Sequence, residues 1–373
     1  MASVAKQTAT SNVSLPPDTY IYALARLSNS IACIASDDTI GLLDPTTLKV
    51  KHKISKCHKS VTSLTAVTGS QTLATAGRDG LVKVWDERKE ASLSTLSIRI
   101  CGCIRMVSFF SCPWCTTRSS LGFYLSLVMT AVMKDVRNIT SPLRSYLESH
   151  NDTIATLSFS PSSTNRLLSS STDALLTLFD TTQAEEDDAI QQIFNHSAAV
   201  HLASHLSQDE ICAISSDEAL SVYEISKPED VENEDVHSLL TAYGDVREEL
   251  KASYVAQILQ SAGETWVASG HLEEKTLRLT PLVRGEGKTK WRFDHSRALS
   301  LPDGHGEEVV RDVLLDEVSK TVISCGEDGM VRVWAVPDAG ADGMEIEEDE
   351  AESKKEKKRR KKEKREKERF KPY

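Results

Sequence analysis

Short apolar runs separated by polar turns recur along the chain in a fixed order. Leu73-Ala-Thr-Ala-Gly is a run of small and apolar residues; Arg-Asp79-Gly follows as a turn, and Leu-Val-Lys-Val-Trp85-Asp86 then alternates up to an aromatic. The same order returns from Leu167 to Asp180 and from Thr321 to Trp334. In each copy a turn Asp, at Asp79, Asp173 or Asp328, stands six residues before Trp85, Phe179 or Trp334. Alternation on both sides of a turn that tolerates positive φ predicts a β-hairpin.

A histidine precedes each hairpin. His58 lies 21 residues before Asp79, and His150 and His305 each lie 23 residues before their turn Asp, with a short apolar strand following every His. Weaker copies occupy Ser36–Asp44, the stretch from His196 through Asp217 to Tyr223, and the pair Trp266–Gly270 and Thr276–Thr280. With one damaged unit the count is seven, at a period of about 40 residues. Such a period predicts stacked repeats in a single ring instead of the several domains that the length would otherwise suggest.

These marks resemble the WD-repeat family of β-propellers, over roughly residues 20–336. The resemblance implies an all-β, seven-bladed propeller with a charged C-terminal tail that is disordered or helical. It also implies that a His, a strand Ser or Thr, the turn Asp and the closing Trp form a buried hydrogen-bonded set in each blade. The set maps onto His58, Thr75, Asp79 and Trp85, and onto His305, Ser324, Asp328 and Trp334. In His150, Ser169, Asp173 and Phe179 the last donor is missing, because Phe has no N–H. The order His150-Asn-Asp-Thr-Ile, Phe159-Ser-Pro161, Phe179-Asp180, Glu185-Glu-Asp-Asp-Ala189 and Asp245-Val-Arg-Glu248 further resembles the family of WD repeat-containing protein 89 and its fungal relatives, which implies a scaffold without a defined reaction.

A ring must close. The chain after Trp334 turns at once into Pro337-Asp-Ala-Gly, so a stretch within Thr8–Leu15 of the N-terminal segment (residues 1–19) is expected to supply the missing outer strand. Residues 98–133, where the third blade belongs, break the pattern, and three readings of them stand open. One is a zinc site on Cys101, Cys103, Cys112 and Cys115. A second is a diverged blade with cysteines as small apolar residues. The third is a frame error or retained intron, which makes the existence of this blade doubtful.

Composition then narrows the function classes. Among 373 residues the net charge is −11, but Lys354–Tyr373 alone carries +9, which leaves −20 on the preceding residues. An acidic body disfavours a direct grip on phosphates and favours basic protein segments as partners. Its acidic clusters, Ala184–Ala189 and Pro228–Asp235, are expected in loops on one rim. No Gly-x-Ser-x-Gly, phosphate loop or His-Glu-x-x-His is present. No enzymatic activity, cofactor, metal or small-molecule substrate is therefore expected. Met1–Pro17 lacks the apolar core of a signal peptide, and Ser119–Met133 is short of the ~20 residues that span a bilayer. A reducing compartment for the eight cysteines, no membrane role and a monomer are expected.

Two further features suggest partners. Trp85-Asp86-Glu87-Arg88 resembles the Trp-Asp-x-Arg box by which some WD-repeat proteins dock onto the cullin-4 ubiquitin ligase adaptor, with Arg137 a partial second copy. That resemblance makes Asp86, Arg88 and Arg137 candidate docking residues and a ligase substrate receptor the alternative function. In the tail, residues 337–373, acidic Glu345–Glu352 precedes a basic run containing Lys357, Lys358, Arg359, Arg360, Lys361 and Lys362. Such runs read as nuclear or nucleolar localisation with RNA contact, or as a solubilising segment in nucleus or cytoplasm. The first expectation is a nuclear scaffold in ribosome assembly.

Overall fold

The computed structural model describes residues 3–66, 71–88, 92–97, 104–108, 122–127, 130–135, 144–146, 148–226, 241–285 and 291–337. Its strands form antiparallel meanders, one after another along the chain. Sheet 1 is Ile21–Arg26, Ile31–Ala35, Ile40–Leu43 and Val50–Ile54. Sheet 2 is Val61–Ala66, Thr72–Gly77, Leu81–Asp86 and Ser92–Ser97. Sheet 4 is Ile154–Ser160, Ser163–Ser171, Leu175–Asp180 and Ile190–Asn195. Sheet 5 is Val200–His205, Glu210–Ser215, Ala219–Glu224 and Thr241–Asp245. Sheet 6 is Tyr254–Ser261, Glu264–His271, Thr276–Arg284 and Leu299–Pro302, with Trp291–Phe293 beside the far end of its third strand. Sheet 7 is Val310–Asp316, Thr321–Gly326, Val331–Ala335 and, from the other end of the chain, Lys6–Ser11.

The architecture is thus an all-β propeller. Six of these sheets rest on described side chains. Within the irregular segment, Ile104–Ser108, Gly122–Leu127, Thr130–Asp135 and Arg144–Tyr146 pair as a further four-stranded meander, here sheet 3, given almost entirely by its backbone. The four cysteines of the zinc reading lie outside the described residues, as do Arg137 and the tail beyond Pro337. The acidic stretch read as a loop at Ala184–Ala189 contains one helical turn, Glu186–Ala189, because Ala189 is buried and donates its N–H to the Glu185 carbonyl. Pro228–Asp235 lies outside the described residues.

Burial explains the residue choice strand by strand. Second strands are covered on both faces by the adjoining strands and sheets, so Ile31–Ala35, Glu210–Ser215 and most of Thr72–Gly77 are buried throughout. Outer strands alternate or face solvent, as Val50–Ile54 does at every position but the last. The innermost strands touch in the cyclic order of the sheets, and the innermost strand of sheet 7 returns to that of sheet 1.

That last seam is built at both radii. On the inside, Asp312 accepts the Leu24 N–H at 2.7 Å, and Asp316 pairs with Arg26 at 3.0 Å. Gln257 of sheet 6 likewise accepts the Val313 N–H at 2.9 Å. Asp312 is half-buried as a residue, and the enclosure of its carboxyl pushes that group up to about 7 against the N–H groups of Leu24 and Val313 and the Gln257 side chain. Between the two sheets, Val13, Ile21, Cys33, Ile323, Cys325 and Val333 form one apolar cluster. On the outside, Lys6–Ser11 pairs antiparallel with Val331–Ala335, starting two residues before the stretch read from the sequence. Before it, Ser3–Val4 runs parallel to Leu299–Ser300 of sheet 6, and the crossing residue Ala5 is buried with Leu299, Leu301 and Trp334.

Deleting residues 1–12 is expected to lower the midpoint of thermal unfolding by roughly 10 °C, since several kcal/mol of burial and pairing are lost and each is worth about 2–4 °C in a domain of comparable size. Differential scanning calorimetry checks this, and an unchanged midpoint refutes the closing role.

Candidate functional site

The residues that a chemist would first suspect are the His–Asp pairs, and the structure brings them together inside single sheets. In sheet 2, His58 Nδ1 lies 3.0 Å from Asp79 Oδ1, His58 Nε2 lies 2.9 Å from Thr75 Oγ1, and Trp85 Nε1 donates to Thr75 Oγ1 at 2.7 Å. Sheet 7 repeats the set: His305 Nδ1 to Asp328 at 2.7 Å, His305 Nε2 to Ser324 at 2.9 Å, and Trp334 Nε1 to Ser324 at 3.1 Å. Sheet 4 has His150 against Asp173 at 3.2 Å and Ser169 at 2.6 Å. There Phe179, having no donor, stacks on Tyr146 with ring centroids 4.6 Å apart.

Each bond has a direction. A carboxylate only accepts, so His58 Nδ1 carries the proton, and the neutral ring presents Nε2 as acceptor to the Thr75 hydroxyl, which in turn accepts from Trp85. Burial holds all three imidazoles below their ordinary value, against the pull of their Asp partners. For Asp79 the opposite balance wins: burial raises it, but the Lys59 N–H, His58 and the Leu81 N–H together hold it below the usual carboxylate value. The Asp therefore ties the His, the loop before the sheet and its own turn at once.

The turn needs positive φ at the next residue. Gly80 and Gly329 supply it at 70° and 71°. At Gly329 a Cβ would stand 2.4 Å from the Thr19 carbonyl oxygen, so no other residue fits without displacement of the backbone. Sheet 4 places Ala174 at φ 70° and accepts the strain.

Sequence reasoning missed how the other sheets manage. In sheet 1 the positive-φ residue is Asp38, which accepts the N–H groups of Ser60 at 3.0 Å and Val61 at 2.6 Å in sheet 2. In sheet 5 it is Glu218, whose carboxyl is raised by burial and lowered by the Val255 N–H of sheet 6. Two consecutive acids, Asp37-Asp38 and Asp217-Glu218, are the signal that could have revealed both cross-sheet ties. Sheet 5 joins His196 Nδ1 directly to the Tyr223 hydroxyl at 2.8 Å. Sheet 6 has neither His nor Trp at the matching positions, and Tyr254 takes the space: a Cβ on Gly270 would meet its ring, as one on Gly77 would meet His58. The Tyr254 hydroxyl accepts the Val310 N–H of sheet 7 at 2.6 Å, while Ser269 Oγ and Thr280 Oγ1 are left without a partner.

Of the docking candidates, Asp86 is buried and Arg88 has 68% of its side chain exposed; the Arg88 guanidinium is fixed to Asp86 by two bonds, at 2.8 Å and 2.5 Å. Arg137 and Lys357, Lys358, Arg359, Arg360, Lys361 and Lys362 lie outside the described residues. Among the described residues no group of three or more His, Cys, Asp or Glu side chains is arranged to hold a metal ion.

Comparison with known proteins agrees with this geometry. The family described as WD domain, G-beta repeat matches residues 49–86, 140–180 and 297–335, which end with the third strands of sheets 2, 4 and 7. An uncharacterized WD repeat-containing protein of Saccharomyces cerevisiae is 35% identical over 201 residues, covering 54% of this chain and 49% of that protein. One of Schizosaccharomyces pombe is 25% identical over 334 residues, covering 87% of this chain and 97% of that protein. The WD repeat-containing protein 89 homolog of Dictyostelium discoideum is 22% identical over 176 residues, covering 47% of this chain and 46% of its own. The chain thus spans about half the length of the first and third of these relatives.

His58→Ala is expected to cost roughly 1–3 kcal/mol at pH 7.5 by orphaning buried partners, measured by urea unfolding. Because the folded imidazole sits below its unfolded value of about 6.5, the stability it contributes is complete above that pH and is lost as pH falls toward the folded value. The gap between wild type and His58→Ala should therefore narrow at pH 5.5; a constant or widening gap contradicts the neutral, buried ring.

Proposed function

The chain is a WD-repeat β-propeller, and on that premise we propose that it is a non-enzymatic scaffold for protein partners, nuclear or nucleolar in location and engaged in ribosome assembly. We read the cyclic order of innermost strands, sheet 3 included, as a ring of seven blades. The observation that carries the scaffold reading is the fate of the His–Asp pairs. They recur in three sheets, and their hydrogen bonds are consumed by the sheet's own Ser or Thr and turn, with a Trp donating to that hydroxyl in two of the three. Imidazoles shut inside separate blades brace hairpins; they do not meet a substrate.

What such bracing leaves free is the rim, where loops and turns are held rigidly in place. The body is acidic, and Glu185, Asp187 and Asp188 beside sheet 4 and Glu307 and Glu308 before sheet 7 are solvent-facing. Acidic loops held rigidly by the sheets suit basic, extended protein segments. The basic run at Lys357–Lys362 supports nuclear or nucleolar localisation, with RNA contact through the tail.

Affinity purification of the full chain from nuclear extract is expected to recover basic ribosomal and assembly proteins in a salt-sensitive manner, and truncation after Ala351 is expected to shift the protein toward the cytoplasm. Recovery of none of these, together with an unchanged distribution, refutes the reading. The exposed Arg88, held in one orientation by Asp86, favours a second reading as a substrate receptor of a cullin-4 ligase. Under that reading the ligase adaptor is captured by the wild type and lost with Arg88→Ala.

A further inference from the structure

The outer strand of each blade has one side with no partner, and proteins guard such edges with charges, irregularities or a covering strand. Among the described side chains most outer edges here are guarded. Lys51, His52 and Lys53 stand in the outer strand of sheet 1, Asp245 and the positive-φ Gly244 in that of sheet 5, and Lys6 in that of sheet 7. The edge of sheet 6 is covered, because Ser3–Val4 has been added to it as a further strand, with Ser3 donating to the Ala298 carbonyl and Ala5 to that of Ser300, both at 2.9 Å.

Sheet 4 is different. Its outer strand, Ile190–Asn195, reads Ile-Gln-Gln-Ile-Phe-Asn, without charge or proline, and pairs only with Leu175–Asp180. His196 gives its N–H to the Ala174 carbonyl at 2.8 Å. By the alternation of an antiparallel ladder, the main-chain groups of Phe194 and Gln192 face that same paired side, and those of Ile193 and Asn195 face the other, where the Asn195 carbonyl accepts the Tyr223 hydroxyl at 3.4 Å and the Ile193 groups and the Asn195 N–H are left for a further strand. Ile193 is an apolar side chain on this edge that is 51% exposed. The strand is held firmly, since Gln192 exchanges hydrogen bonds with Ser226 of sheet 5 and Phe194 is buried. Just ahead of it the helical turn exposes Asp187 and Asp188, with Glu185 beside them, while Glu186 is turned inward to the Glu148 N–H and Ser149.

We infer that the open edge of sheet 4 receives an extended, basic protein segment as an added β-strand. The main chain of the segment pairs with Ile193 and Asn195, an aliphatic side chain covers Ile193, and flanking Lys or Arg residues meet Glu185, Asp187 and Asp188. The molecule already uses this mode of attachment on sheet 6 with its own N-terminus. The inference rests on the reading of the acidic body as a receiver of basic segments, and it adds the place and the manner.

The probe is a capped decapeptide of alternating Lys and Val, followed by fluorescence anisotropy with the full chain, beside the same peptide N-methylated at every residue, which keeps the charge but has no N–H on either edge to form a ladder. The expected result is binding of the first and at least tenfold weaker binding of the second. On binding, hydrogen exchange should slow at least tenfold at the amides of Ile193 and Asn195. Ile193→Pro, which removes one outward N–H, should weaken binding tenfold at an unchanged unfolding midpoint. Equal binding of both peptides, or protection elsewhere, overturns the added strand and leaves the acidic-body reading standing. Failure of the unmethylated peptide to bind overturns both. The exchange measurement on the native chain decides the matter even if the proline variant does not fold.

Discussion

A ring of sheets holds only where its last member meets its first, and every other contact in this molecule depends on that meeting. Elsewhere in the ring neighbouring sheets are joined by a short covalent link, so a failed contact is soon remade. Sheet 7 is linked to sheet 1 only through Lys6–Ser11, which comes from the other end of the chain and is held to Val331–Ala335 without any covalent connection. The chain compensates with bonds of a stronger kind on the inner strands, where Asp312 reaches the Leu24 N–H and Asp316 reaches Arg26. A carboxylate accepting a backbone N–H away from water outweighs a neutral bond in the same place. The cost is visible in Asp312 itself, where the enclosure of the carboxyl opposes its charge.

Within sheets 2 and 7 the organising device is a one-way relay, from the Trp N–H through a hydroxyl and an imidazole to a carboxylate. It fixes a proton position at every step and so admits a single arrangement of four side chains. Where one member is absent the surroundings change to suit. Phe179 exchanges the donor for a stacked Tyr146, and Tyr223 contacts His196 without an intermediary. In sheet 6, Tyr254 spends its hydroxyl on the next sheet, and Ser269 remains as an orphan. These are different local solutions to one requirement, that polar groups covered on both faces find partners.

The hairpins, their turns and the three sets around His58, His150 and His305 were legible in the sequence because all their spacings are local: a turn Asp, a strand Ser or Thr and an aromatic sit on adjacent strands at fixed offsets. The cross-sheet ties were not. Asp38 and Glu218 read as ordinary turn residues until the neighbouring sheet supplies the N–H groups they accept, and Asp312 reads as a polar residue in an inner strand until Leu24 arrives from the far end of the chain. Tyr254 was hidden for another reason: a residue that occupies a histidine's space leaves no histidine to count. Ser3–Val4 is too short for alternation to mean anything, and only its register against Leu299–Ser300 reveals it as a strand.

The outer strand of sheet 7 has a history that the finished ring conceals. Thr8 and the Val333 carbonyl it bonds are 325 residues apart, so at ribosomal speeds of roughly 5–20 residues per second the strand emerges about 15 to 65 seconds before its partner exists. Throughout that interval a strand with free donors and acceptors waits beside sheets that are already forming, each with an edge it could join wrongly. Its residues, Lys-Gln-Thr-Ala-Thr-Ser, are small, polar and largely solvent-facing even when paired. Such a strand has little to gain from any edge but the one where Ala5 and Val13 on either side of it are also buried, so its weak appetite for partners keeps it available until the last sheet is made.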